Sequence, residues 1–248
     1  MPRATRSSRT RGVLPLAAGA AVLSSATGPA VAWLGVVRPY SGFILFGLGA
    51  LLGLMVVIAG LAMALRGQKL RRYGLLSAAV GLVPVLLAAL PVAMSGGAPP
   101  INDVTTDPDN PPVFVAAVNA DDNKGKDLTW PTVLRDVEAR HWPTLGPLVC
   151  DATPDAAYRA AVDLATARGW TLTRQQNANG ERVIEAETHT AIFRFVDDVV
   201  IRVRADADGR TRIDMRSRSR VGRGDLGANA SRILQFLADL KTALAAGP

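Results

Sequence analysis

Hydrophobic and polar positions follow two different rhythms along this chain, and the change falls near position 95. Three apolar runs come first, at about 13–37, 43–65 and 73–94. The second carries no charged side chain, and at 1.5 Å rise per residue it is long enough to cross a hydrocarbon core of about 30 Å. The third is similar. Its Pro84 and Pro91 are tolerable in lipid because neighbouring helices and local adjustments satisfy the freed carbonyls. The first run follows Arg3, Arg6, Arg9 and Arg11 and ends near Ala30-Val31-Ala32, so a cleavable signal peptide is the competing reading. Pro29 beside the cut favours a retained helix.

Beyond the runs, a Gly/Pro-rich exit segment and loop (96–128) leads to a water-facing domain (129–248), after a membrane region of 1–95. A short helix is expected near 132–140. Thr153-Pro154-Asp155 then supplies an N-cap, a proline at the first helical position and an acid in the first turn. Tyr158, Ala161, Leu164 and Ala165 form the apolar stripe of that helix, and Gly169 ends it. Period-two alternation predicts four strands, at 170–176, 182–188, 193–204 and 211–221. Asn177-Ala178-Asn179-Gly180 and Asp206-Ala207-Asp208-Gly209 are the turns. The third strand aligns Phe193, Phe195, Val199, Ile201 and Val203. Asp225 caps a closing helix with Leu226, Ile233, Leu237 and Leu240 along one side. The expected fold is α+β: three transmembrane helices, then an antiparallel four-stranded sheet with helices packed on one face.

Charge sharpens this division. All 21 acidic residues lie beyond position 102, whereas nine of the 28 Lys/Arg precede it, so the net +7 belongs to the apolar front and the later domain is nearly neutral. A pI near 10.3 therefore does not indicate nucleic-acid binding, which needs uncompensated cations. The basic tail and Arg66, Lys69, Arg71 and Arg72 lie on one side by the positive-inside rule, against Arg38 alone in the other connection. This orientation puts the domain outside, facing the periplasm if the membrane is a bacterial inner membrane. The apolar runs hold no embedded charge, which argues for an anchor over a transporter. One cysteine, Cys150, and two histidines, His141 and His189, leave no disulfide framework and no Cys- or His-rich metal centre, and no cofactor is expected.

Three stretches carry a family resemblance. They are Phe193-Arg194-Phe195-Val196-Asp197-Asp198-Val199-Val200-Ile201-Arg202, the run from Arg216-Ser217-Arg218 through Gly227-Ala228-Asn229, and Ile101-Asn102-Asp103 through Asn110-Pro111-Pro112. Together they resemble the bacterial domain-of-unknown-function family numbered 1499 (DUF1499), over about residues 99–242. The membrane front resembles one branch of that family. The resemblance implies no activity and no ligand. His189-Thr190-Ala191-Ile192 departs from the aromatic or small residue often found before Phe-x-Phe, so His189 is not read as a family catalyst.

Candidate chemistry is sparse. Alternation puts Arg210, Arg212, Asp214, Arg216, Arg218 and Arg220 on one face, a row able to hold phosphate or carboxylate groups. The plainer reading is a solvated face neutralised by Glu185, Glu187 and Asp198. Asp197 and Asp198 point to opposite faces and cannot form a dyad. Asp197 falls in the apolar parity and needs a partner, either backbone amides or Arg220 or Arg223. The Val221–Gly227 turn is either an anion cradle or a glycine-rich turn with an Asp cap. Asp103, Asp107 and Asp109 lack a calcium-loop pattern and read as a solvated linker. Ser217 and Ser219 have no nucleophile setting.

The candidate ligand-binding residues are Arg194, Asp197, Asp198, Arg216, Arg218, Arg220, Arg223 and Asp225. The expected function is a non-enzymatic, membrane-anchored envelope protein. Its expected partners are the bilayer, a lipid-like or anionic ligand, or an envelope protein. The alternatives are a hydrolase using Asp197 or Asp225 with an arginine, and a structural part of an envelope complex.

Overall fold

The computed structural model describes residues 4–178 and 180–246. Arg3 of the basic tail and Asn179 of the expected turn lie outside the described residues, as do the side chains of Arg6, Arg9, Arg11 and Lys69. The chain divides into two compact units: Met1–Gly97 with Ala191–Arg194, and Ala98–Thr190 with Phe195–Pro248.

The first unit contains helices α1 (Ala4–Trp33), α2 (Pro39–Ala64) and α3 (Gln68–Met94). All three are long and apolar enough to cross a membrane. With no hydrophobic drive between helices in lipid, close approach through small residues must supply the contact. Glycine supplies it here. A Cβ at Gly28 of α1 would lie 2.4 Å from the carbonyl oxygen of Gly42 in α2. On the other side of α2, a Cβ at Gly53 or Gly60 would lie 2.5 Å from the carbonyl oxygens of Gly81 and Gly74 in α3. Ser24 and Ser25 also donate across to the carbonyls of Leu45 and Phe46. The backbones are in contact along both seams.

The second unit is an antiparallel sheet with helices, as the alternation implies, but six strands are found among its described residues rather than four. They are β1 (Asp103–Thr105), β2 (Leu148–Cys150), β3 (Thr171–Ala178), β4 (Glu181–His189), β5 (Val196–Ala205) and β6 (Thr211–Ser219). The order is β1-β6-β5-β4-β3, and β2 shares the outer edge of β6 with β1. Both unforeseen strands have only three residues, too few to display a period. Helices α4 (Arg135–His141), α5 (Pro154–Ala167) and α6 (Ala228–Ala246) complete the unit. The cap of α5 forms as its sequence requires, with Thr153 accepting from the Ala156 N–H.

One sheet face packs on α5 and α6. Ile184, Val199, Ile201, Val203, Ile213 and Met215, alternate residues of three strands, meet Ala157, Ala161, Ala165, Ile233, Phe236 and Leu240. Each large apolar side chain fully buried there contributes about 1.5–3 kcal/mol. The other face is not solvated, contrary to the sequence reading. Residues 106–130 form an irregular strap, with Phe114, Ala117 and Leu128 packed on Val200. The central strands are therefore buried on both faces, β5 from Asp197 to Val203, whereas the edge strand β3 alternates exposed and half-buried residues.

Two local expectations also change. β5 begins at Val196, so Phe193 and Phe195 lie outside it. Arg194 takes a left-handed conformation (φ 62°) that ends the extended run, and Thr190 bonds Phe195 to close the β4–β5 turn. Leu226, also left-handed (φ 56°) and exposed, precedes α6 rather than lining it.

Candidate functional site

The polar residues of the sheet fall into four buried groups and one open groove. Arg216 anchors the first group. Its side chain is 2% exposed, and Nε and Nη2 donate to the two carboxylate oxygens of Asp103 at 2.8 and 2.7 Å. The same guanidinium donates to the carbonyls of Pro112 and Leu128 and lies 4.7 Å above the Phe114 ring centroid. It spends its donors on β1 and the strap. Glu185 acts in the opposite sense on β4. It accepts from the N–H groups of Val115, Ala116 and Ala117 and from Arg174. Such charge-assisted bonds contribute roughly 1.5–3 kcal/mol each when buried.

A second group surrounds Asp107 and Asp214, which receive the guanidiniums of Arg202, Arg204 and Arg212. Asp103 and Asp107 are thus buried in ion pairs, not part of a solvated linker as their Gly/Pro-rich context implies. Asp109 alone stays exposed, paired with Arg135. Asp198 and Glu187 hold Arg220, and Asn123 of the strap donates to Asp198 at 2.7 Å. On the helix side, Asp197 is buried as its parity requires. Its partner is Arg232 of α6, at 2.5 Å, and not Arg220 or Arg223. Desolvation raises the Asp197 pKa, and the Arg232 charge offsets this in part. Arg232 also bonds Ser217, which donates to Asn229 of α6. That connection was invisible in sequence, because Arg232 lies on a helix whose register to β6 is set only by tertiary packing.

Asp225 caps the start of α6. Its two oxygens accept from the N–H groups of Gly227 and Asn229, at 2.8 and 2.7 Å. Asp197 and Asp225 thus each have hydrogen-bonding partners within the second unit. Arg194 belongs to the first unit and the other candidates to the second.

Two of the eight candidates come together at a concavity of about 180 Å³, Arg218 and Arg223. Its polar lining adds Asn102, Asp103, Asp127 and Thr129. Asn102 fixes one wall by donating to the Gly222 carbonyl at 2.6 Å. Gly224 packs so closely that a Cβ there would lie 3.0 Å from Pro100 Cα, which seats the turn bearing Arg223 on the start of the unit. Arg218 Nη1 donates to the Asp127 carbonyl at 3.0 Å. Asp127 and Thr129 carry no sequence motif. Arg216 holds the Leu128 carbonyl between them and Arg218 the Asp127 carbonyl, which keeps both at the groove. A larger concavity, about 510 Å³ in the first unit, is lined by Ala26, Pro29, Ala30, Trp33, Leu34, Ala191 and Ile192. No ionisable group lines it, so it offers apolar surface rather than chemistry.

The arrangement defines a chain with three helices long and apolar enough to cross a membrane and an α+β domain built on strap-covered, ion-paired strands. Residues 103–240, more than half of the chain, match the model of the family described as protein of unknown function DUF1499. The chain belongs to that family. A comparison with curated proteins gives no match.

Glu138 of α4 generates a pH prediction. It is 3% exposed, and Oε2 accepts a long bond (3.5 Å) from the Thr105 N–H. Oε1 and the neighbouring indole Nε1 of Trp130 are buried without a completed hydrogen bond. Desolvation, helped by Asp103, raises its pKa to about 8 against the contrary pull of Thr105, Trp130 and Arg216. The native state then holds a proton that the unfolded chain releases near 4.5. Stability is full below that value, falls as pH rises toward 8, and levels off above it, with a contribution on the order of a few kcal/mol. Glu138→Gln is expected to flatten this decline, so that denaturant unfolding at pH 5 and pH 8.5 gives closer midpoints for the variant than for the wild type.

Proposed function

We propose that this protein is a membrane-anchored binding protein of the bacterial envelope, with its second unit facing the periplasm and holding a small anionic group in the Arg218–Arg223 groove. The observation that carries the reading is Arg223. It is exposed on the groove and, among the described residues, makes no ion pair, while most arginines of β5 and β6 are matched to carboxylates. Arg218 beside it is positioned by the Asp127 carbonyl, with Nε 3.8 Å from Asp103. A fixed and a free guanidinium on one concavity suit an oxygen-rich anion such as a phosphate or carboxylate.

Size supports a head group or metabolite rather than an acyl chain. A volume of 180 Å³ holds roughly six waters at the bulk share of about 30 Å³ each. Orientation rests on the basic tail and the Arg66–Arg72 connection, which the positive-inside rule assigns to the cytoplasm. Three helices from a cytoplasmic start leave the second unit outside.

Calorimetric titration of the full chain in nanodiscs with glycerol 3-phosphate is the test of the site. Saturable, salt-sensitive binding is expected, weakened by Arg223→Gln without a change in melting temperature, because that side chain holds nothing in the fold. Absence of binding at millimolar concentration contradicts the reading. A phosphatase fused after the last helix is expected to be active in the periplasm; an expressed but inactive fusion contradicts the orientation.

A further inference from the structure

The groove carries a second, opposite charge that the anion reading leaves unused. Asp127 is exposed on its lining, and Oδ1 accepts from the Thr129 N–H at 2.8 Å. Among the described residues it forms no ion pair, and neither does Arg223 on the same lining. Other opposite charges of this sheet are joined, as Arg220 is to Asp198 and Glu187. Asp103, the other carboxylate of the lining, is already taken by both forks of Arg216.

We propose that the groove recognises a zwitterion, with Arg218 and Arg223 receiving its phosphate or carboxylate and Asp127 its primary ammonium. This inference rests on the anion reading above and narrows its ligand class. The Thr129 N–H first, then its hydroxyl and the charges of Arg218 and Arg216, hold Asp127 below the usual carboxylate range, so it is ionised at neutral pH. A primary ammonium presents hydrogen-bond donors to a carboxylate oxygen. A quaternary ammonium presents none and is held by aromatic faces, and no aromatic residue lines this groove. The Asp127 carboxylate also disfavours a multiply charged anion, which would face it across the groove. The shared chemistry is that of an ethanolamine phosphate head group or a free amino-phosphate or amino acid of similar size.

The test uses the full chain in phosphatidylglycerol nanodiscs, titrated by calorimetry with phosphoethanolamine, phosphocholine and glycerol 3-phosphate. Phosphoethanolamine is expected to bind about three- to fivefold more tightly than either other probe, the scale of one added exposed charge pair. Asp127→Asn keeps the oxygen that accepts from Thr129 and is expected to erase that preference, because phosphoethanolamine loses its ammonium partner while glycerol 3-phosphate, no longer facing a carboxylate, binds at least as tightly as before. Arg223→Gln is expected to weaken all three. Equal binding of the three probes by the wild type, still dependent on Arg223, overturns the zwitterion and leaves the anion reading standing. A preference that survives Asp127→Asn overturns it as well. Failure of every probe to bind removes both. Discs containing phosphatidylethanolamine separate the two sources: competition with soluble phosphoethanolamine identifies a lipid head group, and its absence identifies a free ligand.

Discussion

A buried arginine on a central strand sets the terms for the rest of the second unit. Arg216 lies at the middle of β6 with almost no contact with water, a placement that costs several kcal/mol unless its charge and donors are met. Asp103 meets the charge, the carbonyls of Pro112 and Leu128 take further N–H groups, and Phe114 covers the guanidinium face. Each of these groups belongs to the segment that leads out of the membrane helices. The arginine therefore fixes, at one point, the path of a stretch with little regular structure of its own. Glu185 fixes it at a second point by collecting three successive backbone N–H groups, and Asp198 at a third through Asn123.

The groove follows from this arrangement. The Leu128 carbonyl is tied to Arg216, so its neighbours Asp127 and Thr129 stand at a set distance from β6 and face Arg218. The other wall comes from Pro100 to Asn102, locked to the glycine-rich turn by the Asn102 bond to Gly222 and by the Asp225 N–H bond to Ile101. What remains open between the walls is small and polar. Arginines that alternation groups as one row thus have different work, since Arg216 and Arg220 hold the fold and Arg218 is held by it, while Arg223 of the following turn makes no ion pair among the described residues.

Much of the architecture was legible from the chain, for identifiable reasons. The membrane helices show themselves by length and by the absence of charge. Thr153-Pro154-Asp155, Gly169 and the Asp206–Gly209 turn state their geometry locally, and the structure has them as written. Strand parity also held, since Asp214 and Arg216 share one face and Ile213 and Met215 the other. What parity cannot say is what covers a face. A row of arginines looks solvated until the Gly/Pro-rich segment, which has no periodicity, is known to fold over it. The short strands β1 and β2 escaped for the same reason. Asp127 carried no signal because its position depends on a backbone carbonyl one residue away. The packing of the first unit did leave a signal in the spacing of Gly42, Gly49, Gly53 and Gly60, read only once their partners on α1 and α3 were seen.

The central claim is that Arg216 and Asp103 act as one unit holding the strap to the sheet. A double-mutant cycle with Asp103→Asn and Arg216→Met, followed by denaturant unfolding of the full chain, measures it directly. Each single change leaves a buried charge without its partner and is expected to cost about 3–5 kcal/mol. The double variant is expected to cost less than the two together, with a coupling of about 1–3 kcal/mol. Two small and additive losses, each below about 1 kcal/mol, would contradict the claim and mark the pair as incidental to the fold.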